Sequence, residues 1–200
     1  MSSELHNLLS APCYHGSLNS EITKFREGSH FGSRIAALGA ASAKFYDAGG
    51  APATGALYGV TLNINPDECL VTGDWGRSTH LGLLAHLATK VPDLEYLRLK
   101  VDEAKVKLGD TARYGWEGAK RESEAFSLNV ILEVVEATGI KAVAYTNIVE
   151  GERNSLSISV LDPTTIEVTS RESLSSEVLA DGAKYLSEQR QLTFQNRNAQ

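Results

Sequence analysis

Gly139-Ile140-Lys141-Ala142-Val143-Ala144-Tyr145-Thr146-Asn147-Ile148-Val149-Glu150-Gly151-Glu152-Arg153-Asn154-Ser155-Leu156-Ser157-Ile158-Ser159-Val160-Leu161-Asp162-Pro163 is the stretch that decides the fold class. Residues 142–146 and 156–161 have strand character, and the polar, glycine-containing segment between them reads as a hairpin connection. Upstream, residues 123–138 carry Val130, Leu132, Val134 and Val135 near helical spacing. Gly139 is placed to end that helix in a left-handed conformation. A helix delivering the chain into paired strands sets the expectation of an α+β protein.

Working outward, residues 11–15 form a short apolar segment running into Gly16, as a strand does before a tight turn. Ile22 and Phe25, three apart, predict a helical turn packed on the core. Ser33 is an N-cap for an alanine-rich helix reaching Phe45, because its oxygen can accept from a first-turn amide. Gly49-Gly50-Ala51-Pro52 ends that helix. Residues 57–64 predict a half-buried or buried strand closed by Pro66. Residues 79–89 and 94–108 predict helices, and residues 175–191 an amphipathic helix followed by a polar tail. The expected organisation is one α+β domain over residues 11–170, an N-terminal extension over 1–10, and a C-terminal helix and tail over 171–200. No internal repeat is present.

A chain of 200 residues with a formal net charge of −6 can bury a sizeable core but has little nonspecific attraction for nucleic-acid phosphates. No apolar run is long enough to span a bilayer, and the N-terminus lacks a basic region followed by a hydrophobic stretch. The expectation is a cytoplasmic protein with no membrane partner. Cys13 and Cys69 are too few and too distant for a disulfide framework or a zinc site. His80 and His86 lack the four-residue metal spacing, so no metal is expected.

Three short motifs carry chemistry. Tyr14-His15-Gly16-Ser17 puts an imidazole beside a bare backbone, so that a ring nitrogen can meet a sugar hydroxyl while the glycine exchanges hydrogen bonds with an amide. Ser29-His30-Phe31-Gly32-Ser33, followed by Ala36-Ala37, supplies an aromatic face. The third is the Tyr145 to Pro163 segment, with Asn147, Glu150, Glu152, Asn154 and Ser155. In order and spacing these motifs resemble those of the ADP-ribosyltransferase superfamily, in its His-Tyr-Glu branch of poly(ADP-ribose) polymerases and diphtheria-like toxins, and within it the compact phage and bacterial members. The last strand alone is about two residues longer than the family pattern.

That resemblance implies an ADP-ribosyltransferase-like split β-sheet with flanking helices. It also implies NAD as co-substrate and a macromolecular acceptor, expected to be a protein, as for a phage or bacterial effector acting in host cytoplasm. His15 would bind ribose and Gly16 the carboxamide, with Ser17 completing the motif. Phe31 or His30 would take the nicotinamide-stacking role that a tyrosine fills in the family, flanked by Gly32 and Ser33. Asn147 belongs to the third motif. The family's glutamate position at the start of the last strand holds Asn154, Ser155 and Ser157 here. Glu152, closer to the strand than Glu150, is the preferred acid; alternatively Asn154 or Ser155 positions the ribose. An NAD glycohydrolase and a catalytically inactive binding module are the rival classes. Tyr114-Gly115-Trp116-Glu117-Gly118 reads as a loop, and Asp74-Trp75-Gly76 as a turn.

Overall fold

Ser33 stops an extended segment and starts a helix: its hydroxyl accepts from the Ala36 N–H at 3.1 Å, satisfying a first-turn donor that no helical carbonyl can reach. In the computed structural model, which describes residues 2–50, 54–73, 79–90, 96–146 and 155–185, this helix spans Arg34–Asp47 (α2) and follows β1 (Cys13–Ser17) and β2 (Ser29–Phe31). A helix over Ser2–Ser10 (α1) precedes them. Next come β3 (Gly55–Leu62) and β4 (Cys69–Thr72), then helices α3 (His80–Lys90), α4 (Tyr96–Gly109) and α5 (Thr111–Thr138), and finally β5 (Ala142–Thr146), β6 (Leu156–Val160) and β7 (Ile166–Leu174). The protein is α+β. Residues 176–185 are helical; the remainder of the expected C-terminal helix, and Asp74-Trp75-Gly76, lie outside the described residues.

The chain divides into two compact units, residues 1–72 with 142–200, and residues 73–141. The first contains two sheets, one of three strands in the order β1-β3-β7 and one of four in the order β2-β6-β5-β4. All pairings are antiparallel except β4 with β5. Phe25, Phe31, Tyr58, Val60, Ala144, Ile158 and Val160 form a common apolar cluster, against which Leu5 of α1 packs. A second cluster joins Ala37, Ala41 and Phe45 of α2 to Leu57, Leu174 and Leu179. Residues 73–141 contain α3, α4 and α5. There the Glu124 carboxylate accepts from the His80 N–H at 2.8 Å, placing negative charge at the first turn of α3, where the helix dipole favours it.

Several expectations are corrected. Ile22 and Phe25 do lie against the core, but no helical turn forms there. The Tyr58 hydroxyl accepts from the Ile22 N–H and donates to the Asn19 carbonyl, so a buried phenol satisfies this irregular segment instead. Helix α5 begins at Thr111 rather than at residue 123 and consists of two helical segments that meet at Gly115, within Tyr114-Gly115-Trp116-Glu117-Gly118. The glycine signal survives as a kink, since Gly115 has φ 66° and ψ 170° inside the helix. Gly139, at φ 71°, ends α5 in the left-handed region as expected.

Candidate functional site

The register of β1 locates the site. Tyr14 N–H donates to the Gly32 carbonyl at 2.9 Å and Gly32 N–H to the Tyr14 carbonyl at 3.0 Å, an isolated bridge tying the edge of the three-stranded sheet to the end of β2. Backbone groups alternate direction along a strand, so Gly16, two residues on, turns its N–H and C=O to the same edge. Continued pairing would set Gly16 opposite His30. Among the described residues no backbone hydrogen bond joins them; the His30 carbonyl instead accepts from the His15 ring at 2.8 Å. The strands part here, leaving a buried glycine with its hydrogen-bonding edge turned toward the opening. A backbone N–H and C=O presented side by side in this way can pair with a ligand as they would with a further strand.

The same bond defines the chemistry of His15. A carbonyl oxygen can only accept, so Nδ1 carries the proton, and in the neutral ring Nε2 is an acceptor. Burial, with a further push from the positive charge of Lys44, outweighs the bond to His30 and lowers the His15 pKa from 6.5 to about 4. At neutral pH the ring is therefore uncharged, with Nε2 suited to a donor such as a sugar hydroxyl. Its position is fixed by the rings of Phe25 and Phe31, with centroids at 5.1 and 5.6 Å.

Phe31, expected together with His30 as a stacking candidate, is a buried ring. It is 2% exposed, its ring 5.0 Å from that of Phe25 and 5.6 Å from that of His15. Side chains alternate across a strand, so Phe31 shares the face of His15 and Phe25, while His30 and Gly32 point the other way. Its contribution is to stability. Phe31→Ala is expected to cost about 3–5 kcal/mol, read as an unfolding midpoint, whereas Phe31→Leu should fold and keep any ligand affinity the wild type has.

His30 lies on the other face. Its Nδ1 and the Tyr145 hydroxyl are 2.7 Å apart and hydrogen-bonded, with the rings edge-on at 5.6 Å and 77°. Gly32 shares that face: a Cβ there would sit 2.7 Å from the Ser157 Oγ, so only glycine lets β2 lie this close to that serine. Ser17 and Ser33 are engaged locally, Ser17 Oγ accepting from the Asn19 N–H and Ser33 capping α2. Ser155 is half-buried immediately before β6. Asn147, Glu150, Glu152 and Asn154 lie outside the described residues. His15 thus meets the His30 carbonyl beside Gly16, and on the other face of β2 His30 and Gly32 meet Tyr145 and Ser157, which the sequence reading did not place among the site residues. One signal was legible: Ser155, Ser157 and Ser159 alternate with Leu156, Ile158 and Val160, and Ser157 and Ser159 are 2% and 0% exposed. A strand that repeats small side chains on one buried face leaves room there for larger groups of its neighbours.

Among the described residues no group of histidine, cysteine and carboxylate side chains could hold a metal ion, and no helix is long and apolar enough to cross a membrane. Burial pushes both free thiols, Cys13 and Cys69, up to about 11, which leaves them unreactive at neutral pH. The chain has no match among protein-family models, curated proteins or solved structures.

Proposed function

We propose that the protein is an NAD-dependent ADP-ribosyltransferase acting on a macromolecular acceptor, expected to be a protein. The observation that carries this reading is the opening between β1 and β2, where the glycine edge and the neutral His15 ring lie side by side. A primary carboxamide has one acceptor and two donors, and so matches a backbone N–H and C=O presented together, as a second strand would. The nicotinamide amide would pair with Gly16 and a ribose hydroxyl would donate to His15 Nε2. The two sheets meeting at this point fit an ADP-ribosyltransferase-like split sheet, in keeping with the sequence motifs.

In the reaction the bond between ribose C1′ and the nicotinamide nitrogen breaks, its electron pair leaving with nicotinamide. The acceptor forms the new bond at C1′ and loses its proton to solvent. The chain's part is to hold amide and ribose in fixed positions while positive charge develops on the sugar. Glu152 is the residue proposed to stabilise that charge, with Glu150 the nearby control.

Incubation with NAD labelled in the adenylate portion, together with a bacterial lysate, tests the reading. Nicotinamide release with label retained on protein is the expected result. Release without retained label makes the protein a glycohydrolase, and NAD binding with no release makes it a binding module. Glu152→Gln should lower turnover much more than NAD affinity, because a transition-state charge is weakened while ground-state contacts persist.

A further inference from the structure

We propose, resting on the NAD reading above, that Tyr145 is a positioning residue of the ligand opening, acting through His30, and that the serines of β6 exist at their size to permit it. His30 is on β2 and Tyr145 on β5, with β6 between them. Strands two places apart are separated by about 10 Å. His30 Nδ1 and the Tyr145 hydroxyl nevertheless meet at 2.7 Å, so the bond closes over β6. The residues beneath it follow from register: Ser159 is opposite His30 and Ser157 is opposite Tyr145. A leucine or phenylalanine at either position would occupy the space the bridge crosses. The Ser159 Oγ has no hydrogen-bond partner among the described residues, so hydrogen bonding does not explain this buried serine, whereas its small volume does.

The bridge bears on ligand binding because of where His30 sits. By continuation of the Tyr14–Gly32 pairing, His30 is the residue facing Gly16 across the opening. The bond to Tyr145 restricts the His30 imidazole, and a ring already ordered loses less rotamer freedom when the ligand arrives. Removing the phenol hydroxyl takes this hydrogen bond from the ring while keeping the Tyr145 aromatic packing.

The test combines a double-mutant cycle with a spectroscopic signature. Tyr145→Phe should weaken NAD binding about fivefold by calorimetry, acting on KM more than on kcat. In a His30→Phe background the same substitution should change affinity by less than twofold, because the residue it acts through is gone. In the ligand-free protein, the nitrogen resonance of His30 Nδ1 should carry a hydrogen-bond signature in the wild type and lose it in Tyr145→Phe. Ser159→Val, which fills the space under the bridge, should reproduce that spectral change. The proposal is overturned by an unchanged His30 resonance in Tyr145→Phe, by unchanged affinity, or by an equal loss in the His30→Phe background. A wild type that binds no NAD would instead overturn the functional reading, and the role of Tyr145 in NAD binding with it.

Discussion

Gly16→Ala is expected to destabilise the protein by about 3 kcal/mol or more, a fall of roughly 6–12 °C in melting temperature for a chain of this size. The added Cβ would run directly into the main-chain carbonyl oxygen of Ala37 and toward the Ala41 side chain. The obstacle is backbone of α2, not the end of a flexible side chain, so the helix must move off the sheet. Ala37, Ala41 and Phe45 would lose their seat against Leu57 and Leu174. Glycine at this position therefore has two independent causes, close approach of α2 on one side and a bare hydrogen-bonding edge beside it. Thermal unfolding reads the first cause. A melting temperature unchanged within 2 °C would contradict the packing described here.

His15 should show its effect in pH dependence. Folding holds its pKa near 4 against 6.5 for the unfolded chain. Between these values the unfolded state binds more protons than the folded state, so stability falls as pH drops from about 6.5 and levels off below about 4. The full span is worth roughly 3 kcal/mol. Carboxylates titrate in the lower part of the same window, so the comparison is with His15→Gln, which keeps a donor for the His30 carbonyl and does not ionise. Denaturant unfolding across that range should give the wild type the steeper decline, and parallel curves would overturn the assignment. On the ligand side, His15→Ala should weaken NAD binding about tenfold by losing one hydrogen bond in a buried setting, while His86→Ala should leave it unchanged.

The elements with a hydrophobic pattern were legible in the sequence. β3, α2 and β5 fall where apolar periodicity and capping residues put them, since burial selects those residues directly. Strand β7 carried no such signal: seven of its nine residues, 167–173, are exposed, and a strand held mainly by its pairing with β3 leaves no apolar alternation to read. β2 is three residues long, shorter than any periodic test can resolve. The missed start of α5 has a similar cause. Gly115 is a correct signal of backbone irregularity, since it breaks α5 in two, and the exposed residues 111–117 around it offer no apolar periodicity from which a helix could be read.

The site was legible in part, for a comparable reason. His15, Gly16 and His30 are read from residue type within short motifs. The burial of Phe31 was not legible, because residue type alone does not say which face of a strand a ring takes, and a shift of one position reverses it. Tyr145 and Ser157 depend on cross-strand register between segments far apart in the chain. Only the folded arrangement brings His30 over β6 to meet Tyr145.

Calorimetric titration of the wild-type protein with nicotinamide and with nicotinic acid, each backed by competition against NAD, tests the central claim most directly. A glycine N–H and C=O side by side accept a carboxamide, which offers both an acceptor and a donor, and reject a carboxylate, which offers only acceptors to a carbonyl. The account predicts that nicotinamide binds and competes with NAD while nicotinic acid does neither at the same concentration. Equal binding of the two, or no heat with NAD at saturating concentration, would contradict it.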